Sequence, residues 1–407
     1  MTMSRRTFMT SSATGLVASA LAAPTLISAS QTASPVDATP PTIGSDIDDI
    51  LLAAMEEHGI PGALVLVDSP ESGTWSSALG VADIESGAPM TTDMHMRVGS
   101  ITKTFTSTMV LQLVDQGILT LSDTLASLDP DLDFLPNADA ITIRHLLSMQ
   151  SGLPDYVQTE PVMEASLNPE PDRVYTPEEL LGYIADVPAE FAPGEGGMYS
   201  NTNYLVLSMV AEHLTGTPWR DLIQTGILDE VGLTETSLPE TPELPTPAPR
   251  GYAYALEDAL TATSQGTPVL MTPDTATPVV TDAPVDVTAI SPSLSNAAGS
   301  MVSTLDDLSI WMSTLLEGTL LSPELQADRM DFSDETDIQG AVGQMKYGLG
   351  ISNVNGAIGH DGGIEGFRSS MFSIPETSTT IITLANILPT RDGSDPAAVL
   401  MEAALNA

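Results

Sequence analysis

Ser100-Ile101-Thr102-Lys103 places a hydroxyl and an ammonium three residues apart at the start of a segment with helical periodicity, so a helix there carries both on one face, one turn apart. A serine becomes a nucleophile only when its proton is removed. A Lys at that spacing serves in two ways: as a cation that stabilises alkoxide character, or, with its pKa lowered by desolvation, as the base itself. The N-terminus of such a helix adds partial positive charge and a free backbone N–H. Taken alone, the tetrapeptide also suits a helix cap beside a solvated Lys. Scarcity favours chemistry, because the chain has ten Arg but only two Lys, Lys103 and Lys346.

Two further clusters could join it. Tyr199-Ser200-Asn201 follows a Gly-rich turn, Pro193 to Gly197, and precedes a helical pattern from Asn203, which puts its side chains on a loop. A loop Tyr acts as a general base where cations depress its pKa, and an Asn two residues on can hold a substrate carbonyl or bridge to the Lys. His360-Asp361-Gly362-Gly363 ends one strand pattern and precedes another. Glycines there let a substrate backbone approach the strand edge, and the N–H of Gly363 can pair with that of Ser100 as an oxyanion hole.

The elements that must position these clusters are legible in outline. Ser45 with Asp48 starts a helix whose Ile47, Leu51 and Ala54 share a face, and Gly59 and Pro61 end it. Ala63 to Val67 and Trp75 to Val81 read as a hairpin. Ile101, Phe105, Met109 and Leu113 recur at four-residue spacing in an amphipathic helix stopped by Gly117. Helical patterns continue at Thr142 to Met149, Pro177 to Ile184, Asn203 to Leu214 and Thr304 to Leu316, while Thr234 to Pro292 is dense in Thr and Pro and reads as long irregular loops. Strand patterns return at Tyr347 to Ile351, Ala357 to His360, Phe367 to Ile374 and Thr379 to Ile387. A last helix starts near Ser394 or Asp395, with Pro396 in its first turn, and runs to Leu405. The expected architecture is α+β: an antiparallel sheet from residues 45–99 and 341–407, flanked by the N- and C-terminal helices, with an inserted, mostly helical region 100–340 and the cleft between them.

Composition excludes several functions. The 407 residues carry 54 Asp plus Glu against 12 Lys plus Arg, a formal net charge of -42, which repels phosphate backbones and anionic lipids. Nucleic acid is therefore not a partner; a small-molecule or peptide substrate is. Such acidity suits high salt or an acidic exterior. With no Cys there are no disulfides or thiol catalysis. His58, His95, His145 and His213 lack metal-ligand spacing, so no metal is expected. No Gly-x-Ser-x-Gly elbow, phosphate-binding Gly-Lys-Ser/Thr loop or dinucleotide fingerprint occurs, so no cofactor is expected. Ser4-Arg5-Arg6-Thr7-Phe8-Met9, followed by an apolar stretch from Ala13 to Ile27 and small-residue cleavage candidates up to Ala33, reads as a twin-arginine signal over 1–33, followed by a flexible lead-in 34–44. The mature protein is expected to be secreted, without a membrane span and with a net charge of -44 after loss of Arg5 and Arg6.

In this order, Ser100-x-x-Lys103, Tyr199-x-Asn201 and His360-x-Gly362 resemble the penicillin-recognising serine hydrolases, which include class C β-lactamases, serine D-alanyl-D-alanine carboxypeptidases and related esterases. Arg97-Val98-Gly99, Ser151-Gly152-Leu153-Pro154 and Tyr347-Gly348-Leu349-Gly350 extend the resemblance, which covers about residues 45–405. It implies a β-lactamase/transpeptidase-like fold with Ser100 as acylated nucleophile, Lys103 as its electrostatic and proton-transfer partner, and Tyr199 as general base. Asn201, Gly362 and Gly363 would orient substrate, and Tyr156 would line the cleft. His360 stands where β-lactamases carry Lys, close enough to tune Tyr199. Asp361 stands where a Thr helps bind the substrate's carboxylate, and a carboxylate there repels one. The resemblance thus favours carboxypeptidase-like or esterase-like hydrolysis over a dedicated β-lactamase, with a catalytically silent binding fold as the alternative from another class.

Overall fold

The structure, a computed structural model, describes residues 45–167, 170–254, 283–332, 338 and 345–405. The expected signal 1–33, the lead-in 34–44 and the centre of the Thr-Pro stretch lie outside these residues. Helix α1 (Ser45–His58) leads into β1 (Gly62–Ser69), β2 (Gly73–Asp83) and the short β3 (Ala88–Pro89). The middle of the chain holds α2 (Thr102–Asp115), α3 (Thr202–Thr215) and α4 (Leu305–Glu317). Five strands follow: β4 (Met345–Tyr347), β5 (Ser352–Val354), β6 (Ala357–Ile364), β7 (Phe367–Ile374) and β8 (Thr379–Ala385). Helix α5 (Pro396–Leu405) closes the described chain.

These strands form one antiparallel sheet in the order β3-β2-β1-β8-β7-β6-β5-β4, joined across the chain's two ends where Ala63 faces Ala385. Period-2 alternation explains how one strand serves two layers. Along β1, Leu64 and Leu66 enter the large core beneath the helical region, whereas Ala63 and Val65 enter a smaller core. That smaller core is capped by Leu51 and Met55 of α1 and Leu400 of α5, so the two terminal helices cover the same face. Asp395 caps α5 by accepting from the N–H groups of Ala397 and Ala398.

Helix α2 departs from the amphipathic expectation, since its polar positions are buried as well as its apolar ones. Those positions are small hydroxyls that bond back onto the helix: Thr104 Oγ1 donates to Ile101 O at 2.7 Å and Thr108 Oγ1 to Thr104 O at 2.7 Å. Thr104 Oγ1 also accepts from Trp311 of α4 at 2.8 Å, and Phe105 stacks on that ring with centroids 4.0 Å apart. A helix whose hydroxyls satisfy themselves can be enclosed on every side, and Lys103 is enclosed with it.

The expected strand Tyr347 to Ile351 is corrected to a tight hairpin. Strand β4 ends at Tyr347, and Gly348–Ile351 forms the turn into β5. Gly350, at φ +83°, donates to Leu147 O at 3.1 Å and to Gly348 O at 2.8 Å, which docks the turn against the helical region. Strand β6 runs on past His360 to Ile364, so Asp361, Gly362 and Gly363 are strand residues rather than a terminus. The short helices Glu160–Leu167, Trp219–Ile223 and Pro323–Arg329 were not legible in the sequence pattern. The described parts of the Thr-Pro stretch are mostly irregular, with only two-residue strands at Tyr252–Ala253 and Val285–Asp286.

Candidate active site

Ser100 sits part-exposed in a single 3₁₀ turn, Gly99–Ile101, that delivers the chain into α2. The turn lies hard against β6. Gly99 has φ +50°, and a Cβ there would stand 2.7 Å from Gly363 N; a Cβ on Gly362 would collide with Val98 O and reach Ser100 N at 2.9 Å. Only glycine permits that approach. Strand β5 pairs β6 only over Ala357–Gly359, so that ladder stops short of His360–Gly363, beside the Ser100 turn.

Lys103 is wholly buried one helical turn on, and its Nζ has three oxygen neighbours: Ser100 Oγ at 2.9 Å, Asn201 Oδ1 at 2.7 Å and Ala298 O at 2.8 Å. Burial pushes its pKa down to about 7, against the pull of the Asp155 and Asp361 carboxylates. A neutral amine has two N–H bonds and one lone pair. In the charged form Nζ donates to all three oxygens; in the neutral form its two protons go to Asn201 Oδ1 and Ala298 O, which frees the lone pair for the Ser100 hydroxyl.

Asn201 is set by a residue that the sequence motifs missed. Asp155 Oδ2 accepts from Asn201 Nδ2 at 2.9 Å, and Asp155 Oδ1 accepts from Asn201 N at 3.1 Å and Val157 N at 3.2 Å. Burial raises the Asp155 carboxyl against these bonds. Its position directly after Ser151-Gly152-Leu153-Pro154 was the available signal. The same segment straps the Tyr199 loop: Met149 Sδ accepts from Ser200 N at 3.4 Å, and Pro154 O accepts from Thr202 Oγ1 at 2.6 Å. Tyr156 is fully buried, with its N–H on Thr202 Oγ1 at 3.1 Å and its hydroxyl on Leu294 O at 3.0 Å, so it braces the loop from behind.

The Tyr199 ring lies 4.8 Å from Lys103 Nζ, and its hydroxyl is hydrogen-bonded with Ser100. Burial raises its pKa well above the ordinary phenol value, more than the Ser100 bond lowers it. The expected cation-depressed phenol is therefore corrected: burial, joined by the Asp361 and Asp155 carboxylates, keeps the proton on Tyr199 in the resting site.

His360 is buried, and its hydrogen bonds bypass Tyr199. Nδ1 lies 2.5 Å from Asp361 O, an acceptor only, so Nδ1 carries the proton; Nε2 then accepts from the Tyr347 hydroxyl at 2.8 Å. Burial pushes its pKa down to about 4, so the ring is neutral. It reaches Tyr199 through packing, at 6.2 Å between centroids, with Tyr347 edge-on to both rings. Tyr347 was singled out only as part of a motif. Asp361 is held in an ion pair: Arg368 Nη2 donates to Asp361 Oδ2 at 2.5 Å and to Asp395 Oδ2 at 2.5 Å. Burial pushes the Asp361 carboxyl up, but Arg368, together with His360, outweighs it and holds it below the usual range. Among the described residues no group of acidic or His side chains is placed to hold a metal, and no helix is long and apolar enough to cross a membrane.

The model of the Beta-lactamase family matches residues 47–405, nearly the whole described chain. The chain belongs to that family. Among curated relatives it is 29% identical to Penicillin-binding protein 4* of Bacillus subtilis over 44% of this chain and 38% of that protein. It is 24% identical to Protein flp of Staphylococcus aureus over 84% of this chain and 62% of that protein. The chain thus spans less than two thirds of these relatives' length. Among solved structures, a D-stereospecific amidohydrolase from Streptomyces sp. superposes with a TM-score of 0.71 at 27% identity, covering 88% of this chain and 97% of that one. A D-amino acid amidase from Ochrobactrum anthropi SV3 gives a TM-score of 0.72 at 27% identity, over 88% and 98%. The fold is that of the β-lactamases and transpeptidases, as the Ser-x-x-Lys, Tyr-x-Asn and His-x-Gly motifs implied.

Proposed function

We propose that the protein is an exported serine hydrolase that cleaves amides or esters, in the manner of a carboxypeptidase or esterase, through an acyl-enzyme on Ser100. The observation that carries this reading is the environment of buried Lys103 Nζ, 2.9 Å from Ser100 Oγ, with Asn201 Oδ1 and Ala298 O able to take both protons of its neutral form. Lys103 accepts the Ser100 proton as Oγ bonds to the substrate carbonyl carbon. The developing oxyanion sits between the N–H groups of Ser100 and Gly363, which the glycine contact of the turn with β6 brings close. Tyr199, still a phenol, gives its proton to the leaving amine or alkoxide, and the phenolate so formed takes up the proton that Lys103 received from Ser100. Water then attacks the acyl carbon, with the proton passing back along the same groups, and Ser100 is released.

The D-amino acid amidase and D-stereospecific amidohydrolase among the superposing structures support amide cleavage, and Arg5-Arg6 with the apolar run behind it supports export. The test is intact-protein mass after exposure to a fluorophosphonate and to a penicillin, for the wild type and Ser100→Ala. An adduct on the wild type alone is expected; no adduct from either reagent, with no hydrolysis of amide or ester, would sink the proposal.

A further inference from the structure

Beyond the acyl-transfer reading, we propose that the protein has a second binding site, remote from the cleft, for a small organic cation with an apolar body. The site is a cavity of about 490 Å³ between the 3₁₀ turn Pro130–Leu132 with its cap Asp129, the helix Pro177–Gly182 and the C-terminal half of α3. That volume lies within the range of small-molecule sites. The cavity shares no lining residue with the Ser100 site. His213 in its wall stands twelve residues along α3 from Asn201, a rise of about 18 Å.

Four carboxylates line the cavity: Asp129, Asp131, Glu178 and Glu212. Among the described residues none of the four is in an ion pair with Lys or Arg. Arg220 feels Glu212 at longer range but lies on the Trp219 ring. Asp129 carries the argument furthest, because it is only 5% exposed. Its Oδ1 accepts from Asp131 N at 3.1 Å, and its Oδ2 accepts no hydrogen bond. His213 Nδ1 is 3.7 Å from Oδ1, beyond hydrogen-bonding distance, and that ring is half-exposed. A carboxylate withdrawn from water with an oxygen unpartnered is costly until a donor reaches it, and the cavity is where one can approach. The walls supply the rest of the recognition. Leu181 and Met209 are apolar, and Phe134 is 46% exposed, which leaves an aromatic surface for an ammonium or a hydrocarbon. A bare metal ion does not suit these groups, since among the described residues no acidic or His side chains converge to hold one. Charge distributed around apolar walls fits a cation carried on a hydrocarbon frame, and a net charge of -42 concentrates such cations at the surface.

The experiment is isothermal titration of the whole protein with phenethylamine at pH 8, set against phenethyl alcohol and 3-phenylpropionate, which keep the ring with no charge or a negative one. Saturable one-to-one binding of the ammonium alone is expected. Asp129→Asn should weaken it at least tenfold, and Asn still caps the turn, so the fold is kept while the charge is lost. Phe134→Ala, at an exposed position, should weaken it severalfold. Hydrolysis at Ser100 should be unchanged in both variants. Equal binding by Asp129→Asn would put the amine in the cleft and overturn the inference. Binding that never saturates and fades in high KCl would reduce it to the diffuse field of an acidic surface and overturn it equally, as would equal binding of the alcohol or no binding of the amine.

Discussion

The two walls of the cleft treat buried charge in opposite ways. On the helical wall, Lys103 and Asp155 are both buried and joined only through Asn201, so each drifts toward its neutral form, the amine down to about 7 and the carboxyl upward. On the sheet wall, Asp361, Arg368 and Asp395 are comparably buried but touch directly, and Arg368 is held firmly charged. Burial is the same, and contact geometry decides the outcome. An amide placed between the ions leaves each one under-compensated and hence able to exchange a proton, whereas direct pairing locks the charges. Proton exchange is thus open to the first wall and closed to the second.

The sharpest way to break this contrast is Lys103→Arg. A guanidinium keeps its proton at any working pH, so if the role of Lys103 is to accept the Ser100 proton, single-turnover acylation falls by about 10²–10⁴-fold. Retained activity would show that a fixed cation suffices. Next in size is Arg368→Met, which strands two buried carboxylates and is expected to cost about 3–5 kcal/mol in urea unfolding. The sign follows from Asp361, whose folded pKa lies below its unfolded value: its contribution is present above the unfolded pKa and lost as pH falls through the folded one. The penalty of Arg368→Met should therefore shrink in acid as Asp361 protonates.

A smaller effect tests the helical wall alone. Activity that needs neutral Lys103 rises as pH climbs through about 7. Asp155 favours the charged amine, so Asp155→Asn lowers the Lys103 pKa further and slides the acid limb of kcat/KM to lower pH. A limb that stays in place would separate Asp155 from the proton chemistry. The smallest expected change is in Tyr347→Phe, which removes one hydrogen bond to His360 Nε2 and costs about 1 kcal/mol of stability. No pH limb near the ordinary His range should appear with it, since His360 stays neutral.

Legibility in the sequence followed the range of the interaction. Ser100 and Lys103 are one helical turn apart, so their meeting is local and their spacing declared it. The partners of Asn201 were not visible, because Asp155 lies 46 residues away and reaches it through a loop with no periodic pattern. Helix α2 misled for a related reason: Thr and Ser count as polar in a periodicity, yet they bury readily once each hydroxyl finds a carbonyl, as Thr104, Ser107 and Thr108 do on their own turn and Thr106 does on Ala297 O. The sequence places a carboxylate at Asp361 but not its counter-charge, because Arg368 meets it only through the diagonal pairing of β6 with β7.

By itself the sequence determined the family, the order of the motifs, the Ser100–Lys103 spacing, and an acidic chain with few cations to place. These depend on residue identity and short spacing, which folding does not alter. Only the tertiary structure decided how these groups hold their protons: burial lowers Lys103 to about 7 and His360 to about 4 and raises Tyr199, while the fold sets Arg368 between two carboxylates. Protonation depends on what surrounds a group within a few ångströms. Here those neighbours come from segments that are far apart in the chain and meet only when the two ends close the sheet around the helical middle.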